Sequence, residues 1–402
     1  MIAAMPTRAT KRGSERTRLR ADCDVLVCGA SFAGLAVARA LAGSGARVLV
    51  LDRYELGERQ TSACGIPTAW LDALELRGAL RQSFGELLVH TPFRSSRWQL
   101  PWTFSTFDYG ELCALLWEQT GLAQDALETA TVSGRTGFTV HTDRGDISAP
   151  LIVDALGWRR VLSNASAIQP PNARLSRGLE VHPTASGEQM ELWIDDRYVR
   201  AGYAWSFPAR EEVRVGVGSF WPKHHVREPT VRLASDLELP ADGYQGNWIP
   251  HELRAAAEDG VFFVGDSAGH CLPLTAEGIR TALYFGLACG RELRSVLDGT
   301  RSRALALRRY GAFSGAHAWK FASLLGVQRA VGMLTPTRAV TGLTRALEDR
   351  RVCTWAFEHY MNIAPPSYVG GEGRPARASY AAATASASLR TPSSIAGSGT
   401  FA

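Results

Sequence analysis

The sequence predicts an α/β protein in which a parallel-sheet domain, assembled from separated stretches of chain, carries an inserted antiparallel sheet and a helical C-terminal cap. Three observations predict it. Short continuous apolar runs at 24–28, 47–51, 151–155 and 261–264 read as strands covered on both faces, as in a parallel sheet. Alternating apolar and polar residues at 84–104 and 176–220 read as antiparallel strands. Helical spacing at 34–42, 109–119 and 279–297, and again from 303 to 361 with a break at Pro336, supplies the covering layers.

Residues 1–21 form a non-periodic basic leader expected to be disordered, with Arg8, Lys11, Arg12, Arg16, Arg18 and Arg20 opposed only by Glu15. That leader alone (six bases less one acid) equals the formal net charge of +5, so the body is neutral and nucleic acid is not an expected partner. The parallel-sheet domain is assigned to 22–83, 105–165 and 250–300, and a substrate-binding sheet domain to 84–104 and 166–249. A helical region covers 301–368, and the Ala/Ser/Gly/Thr-rich stretch 369–402 reads as a disordered tail.

A chain of 402 residues accommodates two or three such units, and 46% hydrophobic with 21% charged residues excludes wholesale disorder, collagen and coiled coil. The seven cysteines are scattered and never spaced as CxxC, which argues against a disulfide scaffold and a zinc site. The leader has no apolar core of a signal peptide, and the longest apolar stretch, 25–43, is interrupted by glycines, Ser31 and Arg39, too broken to span a bilayer. The expected location is cytoplasmic. Residues 1–20 read either as a merely solvated tail, with translation starting at Met5 or later as a further alternative, or as a peripheral contact with an anionic membrane, at about 1 kcal/mol per basic residue near the lipid.

DVLVCGASFAGLAVARALAGSGARVLVLDR is a strand, a Gly-rich turn, a helix and a second strand ending in an acid, the order of a Rossmann-like dinucleotide fingerprint. Gly29 makes the tight turn and Gly34 lets the helix pack on the strand, while Ser31 replaces the middle glycine. Asp52 ends the second strand, where a carboxylate accepts from ribose hydroxyls, and Arg53 follows it in the same candidate site.

GVFFVGDSAGHCLPLTAEGI admits two readings. Gly265, Ser267 and Gly269 match the GxSxG of a serine hydrolase, but no HGGG-type oxyanion loop lies upstream. The segment also resembles the second FAD motif of the para-hydroxybenzoate hydroxylase-like flavoproteins. That resemblance implies an FAD-binding domain in which Gly265 and Asp266 meet the ribityl chain, Pro273 shapes the turn, and Gly278 and Ile279 open a helix towards the flavin pyrimidine ring. Ala276 stands where many relatives have glycine. LIVDALGWRRVLS, through Asp154 and Gly157, and TFSTFDYGELCALL, with Phe104 where arginine is usual, resemble two further segments of that superfamily.

GYAWSFPAREEVRVGVG resembles the YxWxFP and GxG pattern of geranylgeranyl reductases through Tyr203, Trp205, Phe207, Pro208, Gly216 and Gly218, and SACGIP places Cys64 and Gly65 at their Cys-Gly pair. The resemblance implies an FAD-dependent oxidoreductase that reduces C=C bonds of a lipophilic, prenyl-type substrate, with Cys64, Tyr203, Trp205 and Phe207 about the reacting atoms. Read without it, the three aromatics are a period-two buried strand and Cys64 is a buried structural thiol; both readings stay open for Cys64. A monooxygenase on the same fold is the alternative. A tryptophan-halogenase-like enzyme would need a lysine in the N-terminal half, and none lies between Lys11 and Lys223. His224 and His225 read as a solvated loop, not a metal site. No second dinucleotide fingerprint is present, so the reductant is either NAD(P)H binding transiently or an electron-carrier protein.

Overall fold

The apolar runs form the strands expected of them. In the computed structural model, which describes residues 18–164, 175–334 and 338–370, Val25–Cys28 pairs in parallel with Leu151–Asp154 on one side and Val48–Asp52 on the other. Val261–Phe263 and an antiparallel Ala257–Glu258 extend one edge, and Leu127–Thr129 the other, giving six strands. The continuous burial of the four inner strands explains their unbroken apolar, β-branched-rich composition, since neither face meets water. The expectations for 1–17, 165–174, 335–337, with the helix break at Pro336, and 371–402 lie outside the described residues.

Helix α1 (Phe32–Ala40) follows the first strand; α2 (Thr68–Ala73) and α3 (Tyr109–Glu118) come later, the latter capped by Asp108, whose side chain accepts from the Glu111 N–H. A second sheet of eight strands runs in the order Gln245–Pro250, Leu175–Val181, Glu212–Ser219, Gly202–Ala209, Glu191–Trp193, Leu80–Thr91, Arg94–Phe107 and Gly65–Pro67. Helix α4 (Arg227–Asp236) covers a core of Val181, Ala204, Val215 and Val217 on one face of it. The hairpin is longer than the expected 84–104, because pairing extends from Leu80↔Phe107 to Thr91↔Arg94, with register shifts between Leu80 and Gln82 and between Phe84 and Glu86. Gly65–Pro67, grouped by sequence with the first domain, is an edge strand of this sheet, pairing with Phe104–Thr106.

A three-stranded antiparallel sheet, Val132–Thr136, Thr139–Thr142 and Gly145–Ser148, was not foreseen, since its short polar strands carry little apolar alternation. The last leader residues pack onto it: Leu19 is buried and donates its N–H to the Arg144 carbonyl.

Helix α5 (Ile279–Leu297) packs on α1 at very short range. A Cβ on Gly286 would come within 2.8 Å of the Ala36 Cβ, and one on Gly290 within 2.4 Å of the Ala40 Cβ. The chain then forms α6 (Arg303–Gly315), α7 (Ala318–Leu334), α8 (Arg338–Ala346) and α9 (Arg350–Met361), with α8 and α9 lying on the long hairpin. No described helix is long and apolar enough to cross a membrane.

Candidate dinucleotide and substrate site

The first motif closes as its glycines require. Gly29 has φ +114°, and a Cβ there would sit 2.2 Å from the Ala155 carbonyl oxygen; a Cβ on Gly34 would sit 1.8 Å from that of Gly29. Ser31 is the N-cap of α1 yet makes no capping bond; its Oγ instead receives a hydrogen bond from the Tyr109 hydroxyl at 3.3 Å. With no acidic residue in its first turn, α1 presents open amides and a positive terminus, the geometry that receives a pyrophosphate. Asp52 accepts from the Ala30 N–H at 2.8 Å and the Tyr54 N–H at 3.0 Å, which fixes its carboxylate at the strand end while burial pushes its pKa up. Arg53 is exposed, its guanidinium 4.7 Å from the Tyr54 ring centre.

The second motif meets the first. Gly265, at φ +61°, would bring a Cβ to 2.8 Å from the Ala33 Cβ at the start of α1. Burial pushes the Asp266 carboxyl up to about 6, opposed by the charge of Arg254, and no described side chain hydrogen-bonds it. Pro273 offers its carbonyl to the buried Gln328 of α7. Gly278 is the N-cap of α5 and Ile279 its buried first residue, again with no side-chain cap and no acid in the first turn. Ala276 adopts φ +52°, a left-handed conformation that suits glycine.

The hydrolase reading fails here. Ser267 is fully buried and donates its hydroxyl to Asp154 Oδ1 at 2.6 Å and to the Gly157 carbonyl at 3.0 Å. His270 shares a hydrogen bond with Ser314 and stacks on Phe285 instead of reaching Ser267. The serine ties the DALG segment to the second motif, and a nucleophile needs the opposite: an exposed hydroxyl next to a base.

Tyr203, Trp205 and Phe207 share one face of their strand, while Ala204 and Ser206 face the other way and are buried. The Tyr203 hydroxyl donates to the Thr275 carbonyl at 2.5 Å, so the strand touches the loop between Pro273 and Gly278. Tyr360 of α9 bonds Thr275 and Glu277, and Arg280 pairs with Glu277, pinning the same loop from two further directions. The Trp205 indole lies over the GxG glycines: a Cβ on Gly216 would meet its ring at 2.3 Å and one on Gly218 at 3.4 Å. The downstream glycines are thus the seat of the tryptophan. Phe207 packs against the buried cluster of Phe84, Leu87, Val89 and Met190, as Phe104 does.

Cys64 is fully buried at φ +50°, and burial pushes its thiol pKa well up, so it is held as a thiol. Arg214, itself buried, donates to the Ala63 carbonyl at 2.8 Å and pairs with Glu212, joining the Cys64 segment to the aromatic strands. Phe104 lies where a Cβ on Gly65 would stand, 2.4 Å from its ring. Sequence reasoning missed Glu180 and His182, a buried pair 3.0 Å apart beneath the indole, with Glu180 accepting from Trp205 Nε1 at 3.3 Å. It also missed Gln328 and Tyr360, which stand in ordinary helical patterns; the polar Glu180 in an apolar strand was a signal that could have been read.

The arrangement suits FAD: each motif opens an uncapped helix terminus, the half-buried Asp266, which no described side chain hydrogen-bonds, stands beside the start of α5, and a second carboxylate is fixed at the strand end. The profile of a family described as an FAD binding domain matches residues 22–100. A digeranylgeranylglycerophospholipid reductase of Methanosphaera stadtmanae is 25% identical over 337 residues, 74% of this chain and 84% of that protein. A menaquinone reductase of Mycobacterium tuberculosis is 28% identical over 320 residues, 69% of this chain and 77% of that protein. A geranylgeranyl bacteriochlorophyll reductase-like protein from Thermoplasma acidophilum shares the fold, with a TM-score of 0.72 at 15% identity over 87% of this chain and 98% of the other. The chain is an FAD-dependent oxidoreductase with geranylgeranyl-type reductases among its relatives.

Proposed function

We propose that the protein reduces C=C bonds of a lipophilic, prenyl-type substrate, and that the aromatic strand Gly202–Ala209 is the wall on which the alkene lies. The observation that carries this is the join between the strand and the second motif: Tyr203 bonds the Thr275 loop, and Trp205, two residues on, spreads its indole over Gly216 and Gly218. Bound reduced FAD supplies a hydride equivalent. The chain does the rest.

In this reading the terminus of α1 receives the pyrophosphate, Asp52 the ribose, with Arg53 beside it, and Asp266 the ribityl hydroxyls, while Gly265 and Pro273 shape the turn. The N-terminus of α5, opened by Gly278 and Ile279, stabilises negative charge on the ring. A prenyl alkene is unpolarised, so hydride delivery to one carbon needs a proton on the other, and tertiary cationic character develops between them. Aromatic faces stabilise that charge without adding to it as nucleophiles. They also exclude water. Cys64 is the member held furthest from contact, being fully buried; it shapes the site floor with Arg214 as a neutral thiol.

Either NAD(P)H or an electron-carrier protein serves as reductant. The test is anaerobic: chemically reduced protein is incubated with a geranylgeranyl lipid and the products are weighed. Products gaining hydrogen pairs, lost in Trp205→Ala, are expected. Absence of hydrogenated product, with substrate-stimulated oxygen consumption in air and an oxygenated product, overturns the reading in favour of a monooxygenase.

A further inference from the structure

We propose that the outward face of α7 docks the protein on an anionic lipid bilayer. Residues 299–347 contain eight Lys or Arg and no Asp or Glu. Within that stretch, helical spacing places Trp319, Ala322, Ser323, Gly326, Ala330 and Met333 along one side of α7, all exposed except the half-buried Ala330, with Trp319 at 67% and Met333 at 77%. This stripe runs uncharged over 15 residues, about 21 Å from end to end at the helical rise. Arg329 stands exposed on one flank, the placement in which a cationic side chain reaches for phosphates while the stripe beside it enters the acyl boundary; Lys320, on the other flank, is half-buried and donates to the Asn362 carbonyl at 3.1 Å. Helix α8 adds exposed Arg338, Leu343 and Arg345. Arg329, Arg338 and Arg345 are not ion-paired among the described residues.

Charge decides the occupant. A second copy on this face would set one uncompensated basic surface against another, whereas an anionic bilayer satisfies the cations and the apolar stripe together. The opposite side of α7 is buried at Phe321, Leu325 and Gln328, and Gln328 bonds the Pro273 carbonyl. One helix thickness, about 10 Å, therefore separates the lipid-facing stripe from the loop of the second motif. The docking surface stands independently of the reaction, because it is read without turnover.

The test uses the purified full-length protein and co-sedimentation with phosphatidylglycerol–phosphatidylcholine vesicles, against phosphatidylcholine alone. Wild type is expected to bind the anionic vesicles, and Trp319→Glu/Met333→Glu to lose about tenfold or more in partitioning. An unchanged thermal midpoint shows that the double variant is folded. A second variant, Arg329→Gln/Arg338→Gln/Arg345→Gln, is expected to weaken binding to anionic vesicles only. The proposal is overturned if wild type does not bind, or if the double variant binds equally. It is also overturned if binding disappears only when Arg8, Lys11, Arg12 and Arg16 are changed to Gln, or if the stripe variants instead dissociate a wild-type dimer.

Discussion

Replacing Asp266 by asparagine should move stability and cofactor affinity in opposite directions. In the apo-protein burial raises this carboxyl from 3.8 to about 6, with no described side chain donating to it. A raised carboxylate pKa means stability that is fully present below the unfolded value and lost as pH rises through the folded one. The shift of about 2 units corresponds to about 3 kcal/mol of penalty at pH 8 and about 0.5 kcal/mol at pH 4. Asp266→Asn removes the titration, so the apo-variant should be more stable than wild type by about 2–3 kcal/mol at pH 8 and by only about 0.5 kcal/mol at pH 4, measured by urea unfolding. Hydroxyl donors on a bound cofactor favour the ionised form. Wild-type FAD affinity should therefore rise between pH 5 and pH 7, and the variant should bind FAD about 10- to 100-fold more weakly at pH 8, the loss expected when charge-assisted hydrogen bonds go. Flavin titration of the apo-protein reads this directly. An Asp266→Asn protein that reconstitutes with wild-type affinity, or is no more stable at pH 8, refutes the reasoning.

Gly216→Ala puts a methyl 2.3 Å from the Trp205 ring, so the indole must leave its seat; an overpacking cost of about 1–3 kcal/mol, a shifted tryptophan emission and a tenfold or greater loss of turnover are expected. Ser267→Ala withdraws one donor from buried Asp154 and should destabilise by about 1–3 kcal/mol in denaturant unfolding without altering any ester hydrolysis. Ala276→Gly relieves a left-handed alanine and should raise stability by about 1 kcal/mol, seen as a higher urea midpoint at an unchanged slope.

The parallel sheet was legible because its strands are buried on both faces and therefore read as unbroken runs; Val25–Cys28, Leu151–Asp154 and α5 fall within a residue or so of their expected bounds. The meander at 132–148 was not, since strands such as SGRT owe their pairing to neighbours and to the packing of Leu19, neither of which leaves a period in the sequence. The same distinction holds in the site. Gly29 and Gly34 announce themselves because a Cβ there collides with main chain, and that requirement admits one residue type. The GDSAG segment misleads when read alone: five residues cannot tell whether Ser267 faces a base or a buried carboxylate 113 positions away. Gln328 and Tyr360 matter only through where α7 and α9 land, which helical spacing does not encode.

The most direct measurement of the central claim is the fate of the reduced flavin when substrate arrives without oxygen. Protein reduced anaerobically and mixed with a geranylgeranyl lipid in a stopped-flow cell should regain the oxidised flavin spectrum in step with alkene loss, and Trp205→Ala should slow that recovery by at least about tenfold, roughly 1.4 kcal/mol of barrier. A spectrum that stays reduced until oxygen is admitted, then recovers with an oxygenated product, contradicts the account.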